Sequence, residues 1–193
     1  MWLPDALRGL ALLNMLAYHA MYDWVYVFAH ASSWYDIWSP GCHLWQQYIC
    51  WSFILLSGFS LPLARRPVRN GLLVAACAAL LTAATVLFLP SESIWFGVLH
   101  LLGICMMLYP LFKKLPTAAI CAVSAVCIVV GYLLQGMVFE VRWLFPLGVL
   151  YPGFTSSDYF PVFPQLGWFL LGVVLGRTVY REKRTLLPGR AQD

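Results

Sequence analysis

The chain has 193 residues, of which 62% are apolar, 16% aromatic and only 10% charged. Soluble domains are about a quarter charged, so this composition excludes an ordinary soluble domain and points to an integral membrane protein. The formal charge of +4 does not describe a nucleic-acid surface, because most Lys and Arg fall in three short clusters between or after apolar segments.

A spanning helix needs about 20 mostly apolar residues. Six segments meet that requirement: 6–28, 44–64, 71–89, 94–112, 117–138 and 162–180. The expected fold is all-α, a polytopic transmembrane helical bundle of about six spans, with 139–161 as a seventh short or re-entrant segment. One domain covers 1–181, and 182–193 is a basic cytoplasmic tail.

The first segment, "LRGLALLNMLAYHAMYD", carries Arg8, Asn14, His19 and Asp23, each costly in lipid. His43 stands at the outer mouth of the second, near Gln46 and Gln47, and the second contains Ser57 and Ser60, read as packing hydroxyls. "ARRPVRN" follows, with Arg65, Arg66 and Arg69. The third has Gly71, Ala75, Ala79 and Ala83 at i, i+4 spacing, a ridge of small residues that lets a neighbouring helix come close. The fourth holds His100 near Trp95 and ends at Lys113 and Lys114, before a helix-starting Pro116. The stretch 139–161 is broken by Pro146 and Gly148 and is too short to span, so it suits an interfacial or re-entrant position on the outer face. Asp158 precedes the last helix, after which come Arg177, Arg181, Lys183 and Arg184. Loops 29–43 and 90–93 lack Lys and Arg, and 139–161 has only Arg142. Positive-inside logic therefore puts both termini in the cytoplasm. The six cysteines form no CxxC pair and read as small buried hydrophobes; no cleaved signal peptide is expected.

Arg8, His19 and His30 are spaced by eleven residues, close to three helical turns, so in a continuous helix they share one stripe at intervals of about 16 Å. Asp23 lies four residues past His19 and can reach its imidazole. A carboxylate holding a neutral imidazole is the usual arrangement of a general base, and intramembrane ionisable groups are usually functional. A bridge that merely holds the bundle together is the alternative. Arg8 can pair with Asp5 three residues earlier or read an anionic ligand. Asp158 can cap the last helix or hold an acceptor hydroxyl, and His100 can pack or bind substrate.

"PDALRGLALLNMLAYHA" resembles the opening of the heparan-alpha-glucosaminide N-acetyltransferase family, and more closely that of the small bacterial membrane proteins grouped with that catalytic domain. Its D-x-x-R-G-x-A motif is present as Asp5, Arg8, Gly9 and Ala11. The R-x10-H spacing from Arg8 to His19 is similar to that of bacterial membrane sugar O-acyltransferases. "WSFILLSGFSLPL", "FGVLHLLG" and "DYFPVFPQLGWFLLG" also match, so the resemblance covers most of the chain.

The resemblance implies a multi-pass protein of the bacterial inner membrane that moves an acyl group, typically acetyl, from cytoplasmic acetyl-CoA to a sugar or glycan on the outer face. It implies acetyl-CoA as co-substrate, no metal, and the lipid bilayer, acyl-CoA and a glycan as partners, with no nucleic acid. The family's catalytic histidine stands in a "KHASW"-like stretch, which "FAHASSW" places at His30. His19 matches the R-x10-H histidine and falls where the lysosomal enzyme carries an asparagine. His19, with Asp23 one turn away, is the favoured base and His30 the competitor. Arg8 with Asp5 is expected at the donor and His100 with Asp158 at the acceptor. The chain has fewer spans than the fuller members, so a homo-oligomer is the expected way to complete a site. The competing readings are a small transporter using the polar stripe as a permeation route, and a non-catalytic membrane subunit.

The charge clusters make a testable topology. In a cysteine-free background, Ser33→Cys and Thr155→Cys should react with an impermeant thiol reagent added to intact cells, and Asn70→Cys should not. Labelling of Asn70→Cys would reverse the orientation and the side from which CoA arrives.

Overall fold

A computed structural model describes residues 2–181; Met1 and the expected basic tail at 182–193 lie outside the described residues. The α-helices are α1 (Trp2–Tyr22), α2 (Pro40–Ser60), α3 (Pro67–Phe88), α4 (Val98–Lys113), α5 (Thr117–Leu134) and α6 (Val162–Arg181). No strand forms among the described residues; there are only two isolated bridges, Phe96 to Tyr159 and Val138 to Leu150. By length and apolarity α3, α5 and α6 can cross a membrane, and α4 is apolar but shorter. The protein is thus a multi-pass membrane helical bundle. At 21 residues each, α1 and α2 are long enough to span, although polar side chains dilute their apolar character.

Prolines set several starts. Pro40 and Pro67 each stand at a first helical position, where the missing N–H costs nothing, and the Ser39 hydroxyl caps α2 by accepting from the Cys42 N–H at 3.3 Å. The first helix departs from expectation at its end. It stops as an α-helix at Tyr22 and widens into a π-turn over Asp23–Val27, with the Phe28 N–H bonded to the Asp23 carbonyl at 2.8 Å. The run Trp24-Val25-Tyr26-Val27 is β-branched and aromatic, and such residues lose χ1 freedom in a helix. Ala29, at φ 55°, then turns the chain. His30 therefore leaves the stripe that eleven-residue spacing assigns to it.

The core is organised around α6, whose Phe169, Leu170 and Val173 are fully buried. A Cβ on Gly172 would strike the Leu55 carbonyl and one on Gly176 the Phe59 carbonyl, while Gly58 has no room beside the Phe169 carbonyl. Gly172 and Gly176 meet Leu55 and Phe59 at the same offset in ascending order, so α2 and α6 run parallel. The spacing Gly172-x-x-x-Gly176 is the small-residue signature of a close helix pair. On its other side α6 meets α5, where the buried Ser124 hydroxyl donates to the Gly167 carbonyl at 2.7 Å.

The small-residue ridge of α3 packs on α4 in part. A Cβ on Gly71 would lie 2.8 Å from the Gly103 carbonyl, and one on Gly103 3.0 Å from Ala75 Cβ. Farther along, Ala79 and Ala83 are exposed and Ala78 is buried instead, because strict i+4 spacing drifts off a helix face of period 3.6. The cysteines also divide: Cys42, Cys105 and Cys127 are buried, but Cys77 and Cys121 are exposed on helix faces.

One end of the bundle carries Arg65, Arg66, Arg69, Lys113 and Lys114; the opposite end carries the longer connections 23–39, 89–97 and 135–161. Arg177, from α6, is more than a topological charge. Its guanidinium donates to the carbonyls of Leu115 (2.8 Å), Phe112 (3.1 Å) and Lys113 (2.8 Å), which closes the C-terminal end of α4 with a cation.

Candidate active site

The polar residues of α1 separate into distinct roles. Near the basic end, Arg8 Nη1 meets Asp5 Oδ1 at 2.8 Å, a solvent-accessible i, i+3 pair. Asn14 is a joint between helices. Its Nδ2 donates to the Leu10 carbonyl at 2.9 Å, and its Oδ1 accepts from Trp45 Nε1 of α2 at 3.0 Å. Tyr18 continues the joint with edge contacts to Trp45 and to the buried Tyr35 at 5.2 and 5.6 Å between ring centres.

His19 is exposed on another flank of α1, and Asp23 is exposed in the π-turn. No hydrogen bond or ion pair joins the two among the described residues. The regular helix that would set them one turn apart ends between them.

A different carboxylate is brought to that region by the loop before α6. Residues 156–160 run alongside 93–97, held by Ser157 N–H to the Ser93 carbonyl at 3.1 Å and Phe160 N–H to the Phe96 carbonyl at 2.8 Å. The Trp95 N–H donates to Ser156 Oγ at 3.1 Å, and that hydroxyl donates to the Asp158 carbonyl at 2.7 Å. This pairing seats the Asp158 side chain at the start of α4, where Oδ2 accepts the Val98 N–H at 3.0 Å. Gly97 has no room for a Cβ because the carboxylate occupies the place. A carboxylate there also complements the helix dipole. Burial pushes the Asp158 carboxyl above the ordinary carboxylate range, while the Val98 N–H and the electrostatic pull of His19 act the other way.

This start of α4 is recessed. His100 Nε2 lies 3.3 Å from Thr82 Oγ1, which makes the first turn of α4 level with Thr82. From there to Phe88, the last residue of α3, is about 9 Å of helix rise. The Thr82 hydroxyl gives its one proton to the Ile94 carbonyl at 2.7 Å, so His100 is the donor between them. His100 also stacks on Phe96 at 5.6 Å and braces the loop.

Glu92 is a junction that sequence reasoning misses. Its Oε2 accepts from the Tyr22 hydroxyl at 3.1 Å and from Ser157 Oγ at 2.7 Å, fastening α1 to the loop that carries Asp158. The signal available beforehand is a lone carboxylate in a short Pro-Ser loop between two apolar segments.

His30 belongs to a separate feature. It stacks on Trp24 with ring centres 3.9 Å apart, beside an open hollow of about 320 Å³ lined by Trp24, Trp34, Ser32, Ser33, Met21 and Ala31. The segment 139–161 folds into an aromatic cap. Phe154 touches Phe145 and Tyr159 at 5.3 and 5.0 Å, and the Tyr159 hydroxyl donates to the Phe145 carbonyl at 2.6 Å. Burial pushes that phenol up to about 12, so it stays a donor at neutral pH. Among the described residues no group of three or more His, Cys, Asp or Glu could hold a metal.

A family model described as heparan-alpha-glucosaminide N-acetyltransferase, catalytic, matches residues 1–192. No curated protein and no solved structure matches the chain.

The Arg8–Asp5 pair leaves a clear alternative to test. If Arg8 meets donor phosphates, Arg8→Ala should weaken CoA binding in protein that still inserts and purifies normally, and Arg8→Lys should keep part of it, since a point charge serves phosphate less well than a fork. Loss of folded protein at unchanged CoA affinity would make the pair structural.

Proposed function

The chain belongs to the heparan-alpha-glucosaminide N-acetyltransferase catalytic-domain family, and from that premise we propose that it is a six-span acyltransferase of the cell (inner) membrane. It moves acetyl from cytoplasmic acetyl-CoA to a sugar or glycan at the opposite face. Both termini and the basic end lie in the cytoplasm, where Arg8, helped by Asp5, meets the phosphates of the donor. The site of transfer lies eleven residues along α1, about 16 Å deeper.

His19 is the base. It takes a proton from the acceptor hydroxyl or amine as that oxygen or nitrogen attacks the thioester carbonyl carbon. The carbon–sulfur bond breaks, and the imidazolium returns the proton to the departing CoA thiolate. The observation that carries this reading is the exposed His19 imidazole on the helix that Tyr22 and Glu92 tie to the Asp158-bearing loop, at a helix start recessed below the end of α3. Irregular backbone at membrane depth is tolerated where it is enclosed in protein or lines a cavity.

The hollow beside His30 supplies indole faces and two hydroxyls, a lining suited to a sugar ring, and His30 positions the acceptor there. His100 and the aromatic cap support that face. Asp23 stands between the two histidines at the exit from α1. The unpacked flank of α1, where Leu13 and Leu16 are exposed, is where a second copy of the chain would complete the bundle.

Purified protein incubated with labelled acetyl-CoA and a glycan mixture tests the reading. A positioned base contributes about 10²–10⁴-fold, so His19→Ala should lower acetyl transfer by that order and His30→Ala by less. If His30→Ala abolishes turnover while His19→Ala leaves it near wild type, the roles are exchanged. If neither matters, and the protein instead moves sugars across a proteoliposome without CoA, it is a carrier.

A further inference from the structure

We propose that Asp158 is the positioning carboxylate of His19, a role that helical spacing alone would give to Asp23; the proposal rests on the acyltransfer reading above. Three geometric facts converge on it. Tyr22 follows His19 by three residues and so shares its flank of α1. Through Glu92 Oε2 that flank is tied to Ser157, the immediate neighbour of Asp158. The carboxylate is itself fixed, because Oδ2 is bound to the Val98 N–H in the space that Gly97 leaves by lacking a Cβ.

Asp158 Oδ1 accepts no hydrogen bond from the described residues, so lone pairs remain for an imidazole N–H. Around the carboxylate, α1 presents His19, α2 presents Cys50, and α4 presents only the Val98 N–H; no Lys or Arg is paired with it among the described residues. Among the described residues, His19 is therefore the one side chain acting on it that can become a cation. A carboxylate that holds one imidazole N–H fixes the tautomer, leaves the other nitrogen as proton acceptor, and stabilises the imidazolium formed during transfer. Asp23, exposed and beyond the end of the regular helix, holds neither position.

A double-mutant cycle tests the pair. Asp158→Asn keeps an oxygen for the Val98 N–H, so the protein should fold, but kcat for acetyl transfer should fall at least about tenfold with KM for acetyl-CoA nearly unchanged, and Asp158→Glu should recover part of the loss. On a His19→Ala background Asp158→Asn should cost nothing more, whereas on His30→Ala it should cost its full amount. A proximity measurement stands beside the kinetics. In a cysteine-free chain, His19→Cys with Asp158→Cys should be joined by a short bifunctional thiol reagent, and Ala20→Cys with Asp158→Cys should not. Wild-type turnover in Asp158→Asn, additive losses with His19→Ala, or failure of the cross-link would each overturn the pairing. A cross-link in a protein whose wild type transfers no acetyl group would leave the pair standing and overturn the acyltransfer reading instead.

Discussion

A helix that begins recessed within a bundle exposes backbone N–H groups that need partners there. The bond from the Val98 N–H to Asp158 answers that constraint for α4, and much of the loop end follows from it. To deliver the carboxylate, residues 156–160 must run beside 93–97, and Gly97 must lack a side chain. Ser156 and Ser157 complete the pairing with Trp95, Ser93 and Glu92. Glu92 then reaches Tyr22 and draws α1 against the same loop. One backbone requirement thus places a carboxylate, a hydroxyl network and a histidine-bearing helix at a single depth.

The bundle is held unevenly, and the unevenness matters for function. Around α6, glycines bring α2 within backbone contact, Ser124 ties α5, and Arg177 closes the end of α4. These are short-range contacts with little freedom. By contrast α1 is fastened at separate points, through Asn14 to Trp45 and through Tyr22 to Glu92. A rigid frame carries Asp158, and His19 rides on a peripheral helix. On the proposed reading, such a division would let a long donor reach the site beside α1 without disturbing the core.

The helices themselves are legible from the chain as six apolar runs, with Pro116 marking the start of α5, but α2 and α3 begin earlier than the expected 44 and 71, at Pro40 and Pro67. Gly71 and Ala75 are likewise readable as a contact, and the Gly172–Gly176 spacing carries the same signal. What spacing does not convey is the change of pitch at Asp23. Eleven-residue intervals align His19 with His30, and four-residue intervals align His19 with Asp23, only while the helix stays regular. The run from Trp24 to Val27 ends that regularity and sends His30 to a different surface. The proposed pairing of Asp158 with His19 joins residues far apart in sequence, and the seat of Asp158 depends on where α4 begins, which no local pattern in either segment records. Motif resemblance identifies the family but leaves the partner of each histidine to the fold.

The most direct measurement is an experimental structure of the membrane-embedded protein with a non-hydrolysable thioether analogue of acetyl-CoA. Phosphates should lie near Arg8 at the basic end, and the acyl carbonyl beside the His19 nitrogen that faces away from Asp158, level with the first turn of α4. A gap should lie beside the acyl carbon, within about 3–3.5 Å of where an acceptor atom held by His19 would sit. An acyl group seated against Trp24 and His30, with His19 and Asp158 turned away from it, would contradict the account.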